Sequence, residues 1–541
     1  MRITLSSLAA LAIAMPGLAM AQEADDGPTR QVEVVPYIEA AQVLTAELQP
    51  ESDVVTYSRV AAGVEAYVNG RNNQASASVR YERRFGWDDD AADGDTISGL
   101  ARGSAALVPQ TLYVEAGGLA TRSSVGAGGA LLDGVPRDDS STQVYSAYAG
   151  PTLMTRAGDV QVEAAYRFGY TRVETPNDVV ADPAVGTADF FDESTVHHAQ
   201  ARIGTQPFDP LPVGVGIGGG YTQEDISNLD QRVRDAYARA DVVVPVSRDF
   251  AVTGGIGYED VEVSSRDAVR DPVTDQPIIG ADGRFVTDDS VPRTIAYETD
   301  GLIWDVGAQW RPSRRTALSA YVGRRYGSTT YGGTLSYQPN PRTSINATVY
   351  DQVSGFGSQL TNALAALPAA FRVNRDAITG DVLGCVGTVE TGSACFDNAL
   401  GGVRSAAFRA RGGTISFARN AGPTQWGIGA GYDRRSFIGA EGTILEAVDG
   451  SVDETLFAVA YLNRELDRRS GISTTAYATL FQSGYDDSGD ATNIGASAGY
   501  YRDLAEGLAA TAALGLNGQL RDEALDDIWT ASALLGVRYS F

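Results

Sequence analysis

The chain has no lysine, and only two cysteines, two histidines and four methionines in 541 residues. All 42 basic residues are therefore arginine, and against 68 acidic residues the formal charge is 42 − 68 = −26. Such a polyanion offers no undiluted basic face for neutralising phosphates, which excludes a nucleic-acid partner. The two histidines, His197 and His198, are neighbours, and on a strand they point to opposite faces, so they cannot ligate one metal together. No metal, cofactor or catalytic residue is expected. A surface esterase would still need one of these histidines beside a nucleophile. Gly214 to Gly219 formally spells GxGxxG, but the stretch alternates like a strand and opens no helix, so it marks no dinucleotide site. Long apolar runs are missing as well. Nothing after the first 21 residues approaches the roughly 20 apolar residues of a spanning helix, which excludes a helical membrane protein.

Those first residues do carry a signal. Arg2, an apolar stretch from Leu5 to Met15, the Pro16-Gly17 break and Ala19-Met20-Ala21 describe a secretory signal peptide, 1–21, cleaved after Ala21. A short periplasmic segment, 22–31, follows, and the rest of the chain, 32–541, has one uniform texture with no linker-like division.

Alternation at period two recurs throughout that texture. Ala75, Ala77, Val79 and Tyr81 oppose Ser76, Ser78, Arg80 and Glu82; Val160, Val162, Ala164, Tyr166 and Phe168 oppose Gln161, Glu163 and Arg167. The same pattern appears at Leu302, Trp304, Val306, Trp310 and at Ile472, Thr474, Ala476, Leu480. Ten short connections, carrying Pro and Arg, alternate with eleven mostly longer ones that collect acid, such as Asp88, Asp89 and Asp90, Asp486 and Asp487, or Asp522 and Glu523. Twenty-one connections join 22 strands, within a range of 18 to 24, and both termini fall on the short-turn side. The predicted fold is all-β: a transmembrane, antiparallel, up-and-down barrel with short periplasmic turns and long acidic outer loops. Its place is the bacterial outer membrane of a Gram-negative envelope, among lipid and lipopolysaccharide. The chain stops on a strand whose alternate residues end in Val537, Tyr539 and Phe541. A terminal aromatic of this kind resembles the signal read by the barrel-assembly machinery.

Four N-terminal segments carry a family resemblance. Val34-Val35-Pro36-Tyr37-Ile38-Glu39-Ala40-Ala41-Gln42, Tyr81-Glu82-Arg83-Arg84, Gly99-Leu100-Ala101-Arg102 and Ala116-Gly117-Gly118-Leu119-Ala120-Thr121-Arg122 resemble outer-membrane β-barrel porins of exosortase/PEP-CTERM and exopolysaccharide-associated systems. The resemblance covers about the first 120 residues and implies location and fold, with surface polysaccharide as a candidate partner. It assigns no functional residue.

The functional expectation is a passive, porin-like channel for small hydrophilic or oligosaccharide solutes. The alternative is a non-conducting structural or assembly barrel linked to surface polysaccharide or protein export, and a barrel esterase ranks below both. About ten residues precede the first strand, which is no room for a separate N-terminal plug, so a plugged importer is not expected. Lumen-lining charge is expected from Arg59, Glu65, Arg80, Glu82, Arg84, Arg102, Glu115, Glu163 and Arg167, either as a selectivity field or as mutually neutralising cross-strand pairs. A lumen this wide needs narrowing. The loop 355–405 is expected to fold inward, with Leu360, Ala363, Leu364, Leu367 and Phe371 at helical spacing interrupted by Pro368. Its Cys385 and Cys395, the only cysteines, are expected to form a disulfide in an oxidising compartment.

Overall fold

Residues 31–50, 52–87, 93–123, 142–174, 193–280, 284–388, 392–395, 406–484, 490–521 and 526–541 are described by a computed structural model. The expected signal peptide and the acidic residues Asp88, Asp89, Asp90, Asp486, Asp487, Asp522 and Glu523 lie outside them. From the N-terminus the wall runs β1 Gln31–Gln49, β2 Asp53–Asn69, β3 Asn73–Gly86, β4 Gly94–Val108, β5 Leu112–Ser123 and β6 Thr142–Ala157. It continues as β7 Val160–Glu174, β8 Glu193–Thr205, β9 Gly214–Ile226, β10 Gln231–Pro245, β11 Phe250–Ser265 and β12 Thr294–Ser313. After β13 Thr316–Arg325, β14 Ser328–Asn340 and β15 Thr343–Ser354 the chain leaves the wall. It forms a helix, α1 Phe356–Ala366, and three short strands, β16 Phe371–Arg375, β17 Val382–Thr388 and β18 Gly392–Cys395. The wall resumes with β19 Phe408–Ala421, β20 Thr424–Phe437, β21 Val452–Asp467, β22 Ser470–Gln482, β23 Ala491–Ala505, β24 Leu508–Arg521 and β25 Ile528–Ser540.

These 22 wall strands form one antiparallel sheet. Each pairs with its neighbour in sequence, β15 pairs with β19 past the insert, and β1 pairs with β25 to close the barrel. The short turns expected from sequence all fall at the end that holds both termini. Closure leaves no unpaired edge, so every backbone polar group of the wall can be satisfied within it.

Alternation sets the two faces. On β1, Val34, Ile38, Leu44 and Leu48 are exposed on the lipid side while Tyr37, Val43 and Thr45 are buried on the lumen side. On β3, Val79, Tyr81 and Phe85 face outward, and Ser76, Ser78, Arg80 and Glu82 inward. At the end of the chain Leu535, Val537, Tyr539 and Phe541 lie outside, the last two rings edge to face at 5.0 Å, and Leu534 lies inside.

The 61 glycines and 25 tyrosines have a joint use in the wall. Tyr37 stands directly opposite Gly63, Tyr148 opposite Gly117, Tyr237 opposite Gly220, and Tyr477 opposite Gly495. In each case the ring lies where a glycine Cβ would be, 2.4 Å from it at Gly63 and 2.2 Å at Gly495. The missing side chain thus seats an aromatic across two strands, a cross-strand pair that favours one register. Replacing Gly495 by Val should unseat Tyr477 and cost about 1–3 kcal/mol by overpacking. A lower urea midpoint for the folded barrel checks this; an unchanged midpoint would mean that the ring is not seated there.

Candidate functional site

The segment between β15 and β19 folds into the barrel. Phe356, Leu360 and Leu364 form the apolar stripe of α1, and together with Leu367 they are at most 2% exposed. Pro368 ends the helix, because the residue before a proline is pushed to extended geometry, and Leu367 has ψ 149°. Phe371, which keeps the helical spacing beyond the Pro368 interruption, begins β16. The stripe packs on lumen-facing Leu100, Leu119, Val144, Tyr148, Val173 and Ile226, and Phe371, Val382 and Val386 extend the same cluster. The approach is close. A Cβ on Gly169 of β7 would lie 2.8 Å from Thr361 Cγ2.

The helix borrows its N-terminal cap from the wall. Gly355 is extended and α1 has no capping side chain of its own. Glu224 of β9, fully buried, accepts the Gly355 N–H at 2.8 Å and the Ser194 hydroxyl at 2.8 Å. A carboxylate placed here satisfies an orphan donor and complements the helix dipole. Arg167 donates to Asn362 Oδ1 at 2.7 Å on the same helix.

Beyond β16 a tight turn lies against the lumen wall on both sides of the closing seam. Asp376 Oδ1 accepts the N–H groups of Ile378 and Thr379, both at 2.8 Å, and its Oδ2 accepts from Ser497 of β23 at 2.7 Å. Gly380 closes the turn at φ 74°, where a side chain would be strained and would meet the Arg80 guanidinium. Ile378, 1% exposed, packs with Ala41, Val43, Tyr57, Ala513 and Leu534, on the strands that flank the closing seam. A Cβ on Gly515 would come within 2.9 Å of Ile378 Cγ1.

Arginines grip the turn. Arg122 of β5 holds Asp381 through Nη2–Oδ2 at 2.6 Å and Nε–Oδ1 at 3.1 Å. Arg59 donates to the Ile378 carbonyl, and Ser98 donates to that of Gly380 at 3.4 Å. Arg375 of the insert donates in return to the Ser78 and Ser98 hydroxyls, at 3.0 and 2.8 Å. Burial, with the Arg80 charge adding to it, draws the Arg375 guanidinium below its ordinary value. On the far side Asn463 of β21 donates to Asn374 at 3.3 Å.

The nine charged residues expected in the lumen do face it, but they act in separate groups. Arg80 bridges Glu39 at 2.9 and 3.1 Å and Glu82 at 2.9 Å, and Arg59 bridges Glu39 at 3.1 Å. Arg84 neighbours this group; its Nε is buried without a hydrogen-bond partner. Arg102 pairs with Glu115 at 3.2 Å, and Glu65 with Arg538 at 2.9 Å. Glu163 lines a separate cleft of about 560 Å³ in the periplasmic half, with Gln200, Arg202, Tyr237, Arg239 and Asp241. There Arg202 reaches Asp241 at 2.6 Å and Arg239 reaches Asp305 at 2.9 Å. Sequence reasoning missed Glu39, Arg122, Glu224, Arg375 and Asp381, whose partners lie up to hundreds of residues away. The register sets Cys385 opposite Cys395, but the disulfide expected there lies outside the described side chains. His197 meets the Tyr166 hydroxyl at 2.8 Å on the lipid side, and His198 meets Thr222 at 2.9 Å on the lumen side.

The passive pore expected from sequence does not survive this geometry. The insert packs on one continuous arc of the lumen wall, from β21 through the closing seam of β25 and β1 round to β9, while β18 meets β15, β19 and β20. The segment that enters the lumen comes from the barrel itself, between β15 and β19.

No family model matches this chain, and neither does any curated protein. Solved structures do. The ferric-catecholate import receptor Fiu of Escherichia coli K12, in its closed form, shares 10% identity and a TM-score of 0.44, over 93% of this chain and 81% of that one. The FrpB iron transporter of Neisseria meningitidis shares 11% identity and a TM-score of 0.43, over 94% and 82%. The alcaligin receptor FauA of Bordetella pertussis shares 13% and a TM-score of 0.37, over 93% and 76%. These are described as receptors and transporters, and at such identity the likeness is one of barrels alone.

Proposed function

We propose that the protein is a gated outer-membrane receptor for a hydrophilic solute, closed at rest by its own insert and opened only when that insert is displaced. One observation carries the reading. Phe356, Leu360, Leu364, Leu367, Phe371, Ile378, Val382 and Val386 of the insert are all buried against the lumen wall or one another. At roughly 1.5–3 kcal/mol for each large apolar side chain, full expulsion would cost on the order of 10–20 kcal/mol, an upper range because the displaced segment would rebury part of itself. At about 10 kcal/mol, fewer than about one barrel in 10⁷ would be open by thermal motion. Diffusion through such a barrel is negligible, so passage requires that binding or a partner supply the difference.

The test is conductance of the purified full chain in planar bilayers. No steady single-channel current is expected without ligand. A constant open channel in the unliganded protein would contradict the reading.

A further inference from the structure

We propose that the turn Asp376–Asp381 is a stand-in for the solute: it occupies an anion-binding wall built by Arg59, Arg80, Arg84 and Arg122, and an anionic solute competes for that wall and releases the turn. The inference rests on the closed-receptor reading and names the solute class for it.

The charge balance is the first support. Four arginines on β2, β3 and β5 converge on this wall, against two carboxylates, Glu39 and Glu82. The wall alone therefore carries an excess of two positive charges. The insert brings Arg375, Asp376 and Asp381, a net −1, and its contribution leaves one positive charge uncompensated. The bidentate grip of Arg122 on Asp381 has the fork geometry by which arginine recognises a carboxylate or phosphate.

The second support is what the turn leaves unused. Arg84, beside Arg122, makes no hydrogen bond or ion pair among the described residues, and its Nε, like those of Arg59 and Arg80, is buried without a partner. The turn thus satisfies this wall incompletely. A solute with two or more anionic groups could take the place of the Asp381 carboxylate on Arg122 and also engage Arg84, which the turn does not reach. The wall hydroxyls of Ser78 and Ser98, now held by Arg375, and the Ser98 donor to the Gly380 carbonyl would be freed at the same time. A ligand that prefers the wall with the turn displaced shifts the gate by that preference alone.

The experiment uses the full chain in detergent, with citrate, inorganic phosphate and neutral maltotriose as probes in calorimetry. Hydrogen exchange of the Ile378 and Thr379 amides reports the turn. In Asp381→Asn the turn no longer competes, so these amides should exchange faster and citrate or phosphate should bind about tenfold tighter or more. Citrate alone gaining would assign a carboxylate solute, and phosphate alone a phosphorylated one. Asp381→Glu should behave as the unmodified chain. Arg84→Gln in the Asp381→Asn background should remove the gain in affinity while the fast exchange stays. Equal anion binding with and without Asp381, no anion binding in either, or an equal gain for maltotriose would overturn the proposal. Unchanged exchange in Asp381→Asn would overturn it too. The closed-receptor reading fails separately, on steady current through the unmodified chain.

Discussion

Replacing residues 356–405 with a short Gly/Ser linker should yield a folded barrel that conducts steadily. The wall does not need the insert: β15 and β19 pair directly, from Thr343 opposite Arg419 to Ser354 opposite Phe408. What the deletion removes lies inside. Leu100, Leu119, Val144, Val173 and Ile226 would lose their apolar cover and face water, lowering stability. The closed wall of 22 strands should nevertheless persist, because its ladders run uninterrupted round the barrel. A lumen of this strand number, once emptied, is wide enough for a large aqueous path. Planar-bilayer current and heat-modifiable migration on a gel measure both halves of the expectation. A deleted barrel that migrates as folded yet stays silent would mean that something other than the insert seals the lumen.

Truncating one side chain of the plug should act in the same direction but by degrees. Leu360 is fully buried at the centre of the α1 stripe. Leu360→Ala should weaken the closed state by about 2–5 kcal/mol, the lost transfer energy plus the cavity left behind. At about 1.4 kcal/mol per factor of ten, the open population would rise by roughly one and a half to three and a half powers of ten. Brief openings should become detectable where none were, and α1 amides should exchange faster. Leu514→Ala, on a side chain that is 67% exposed on the outer face, serves as the control and should change neither. If both substitutions behaved alike, the stripe would not be holding the gate.

Much of the wall was legible because a barrel writes itself locally. Period-two alternation assigns lipid and lumen faces strand by strand, and the asymmetry of turn lengths orients the whole. The paired count of short and long connections therefore gave both the number of strands and the side of the termini. The inward course of the 355–405 loop was also readable, from apolar residues at helical spacing in a segment that alternation could not absorb. What failed to show was anything set by meeting across the lumen. Phe371 continued the helical spacing on paper, yet Pro368 resets the backbone and the ring serves a strand. Glu224 caps a helix 131 residues away, and Arg122 grips a carboxylate 259 residues away. No local pattern encodes such partners. Asp376 and Gly380 build their turn locally, but its place depends on the arginines that surround it. The error about function has the same origin: the lumen charges and the inward loop were visible from sequence, whereas the grip of the one on the other was not.

The central claim, that α1 rests inside the barrel on β7, can be measured directly by crosslinking. A Cβ at position 169 would lie 3.3 Å from that of Thr361, a little inside the usual span of a disulfide, about 3.5–4.5 Å, so a small shift suffices. In a chain with Cys385→Ser and Cys395→Ser, the pair Gly169→Cys and Thr361→Cys should crosslink on oxidation. Peptide mass spectrometry should join the β7 and α1 fragments. Free thiols at both positions in the folded, membrane-inserted protein would place the helix elsewhere and contradict the account.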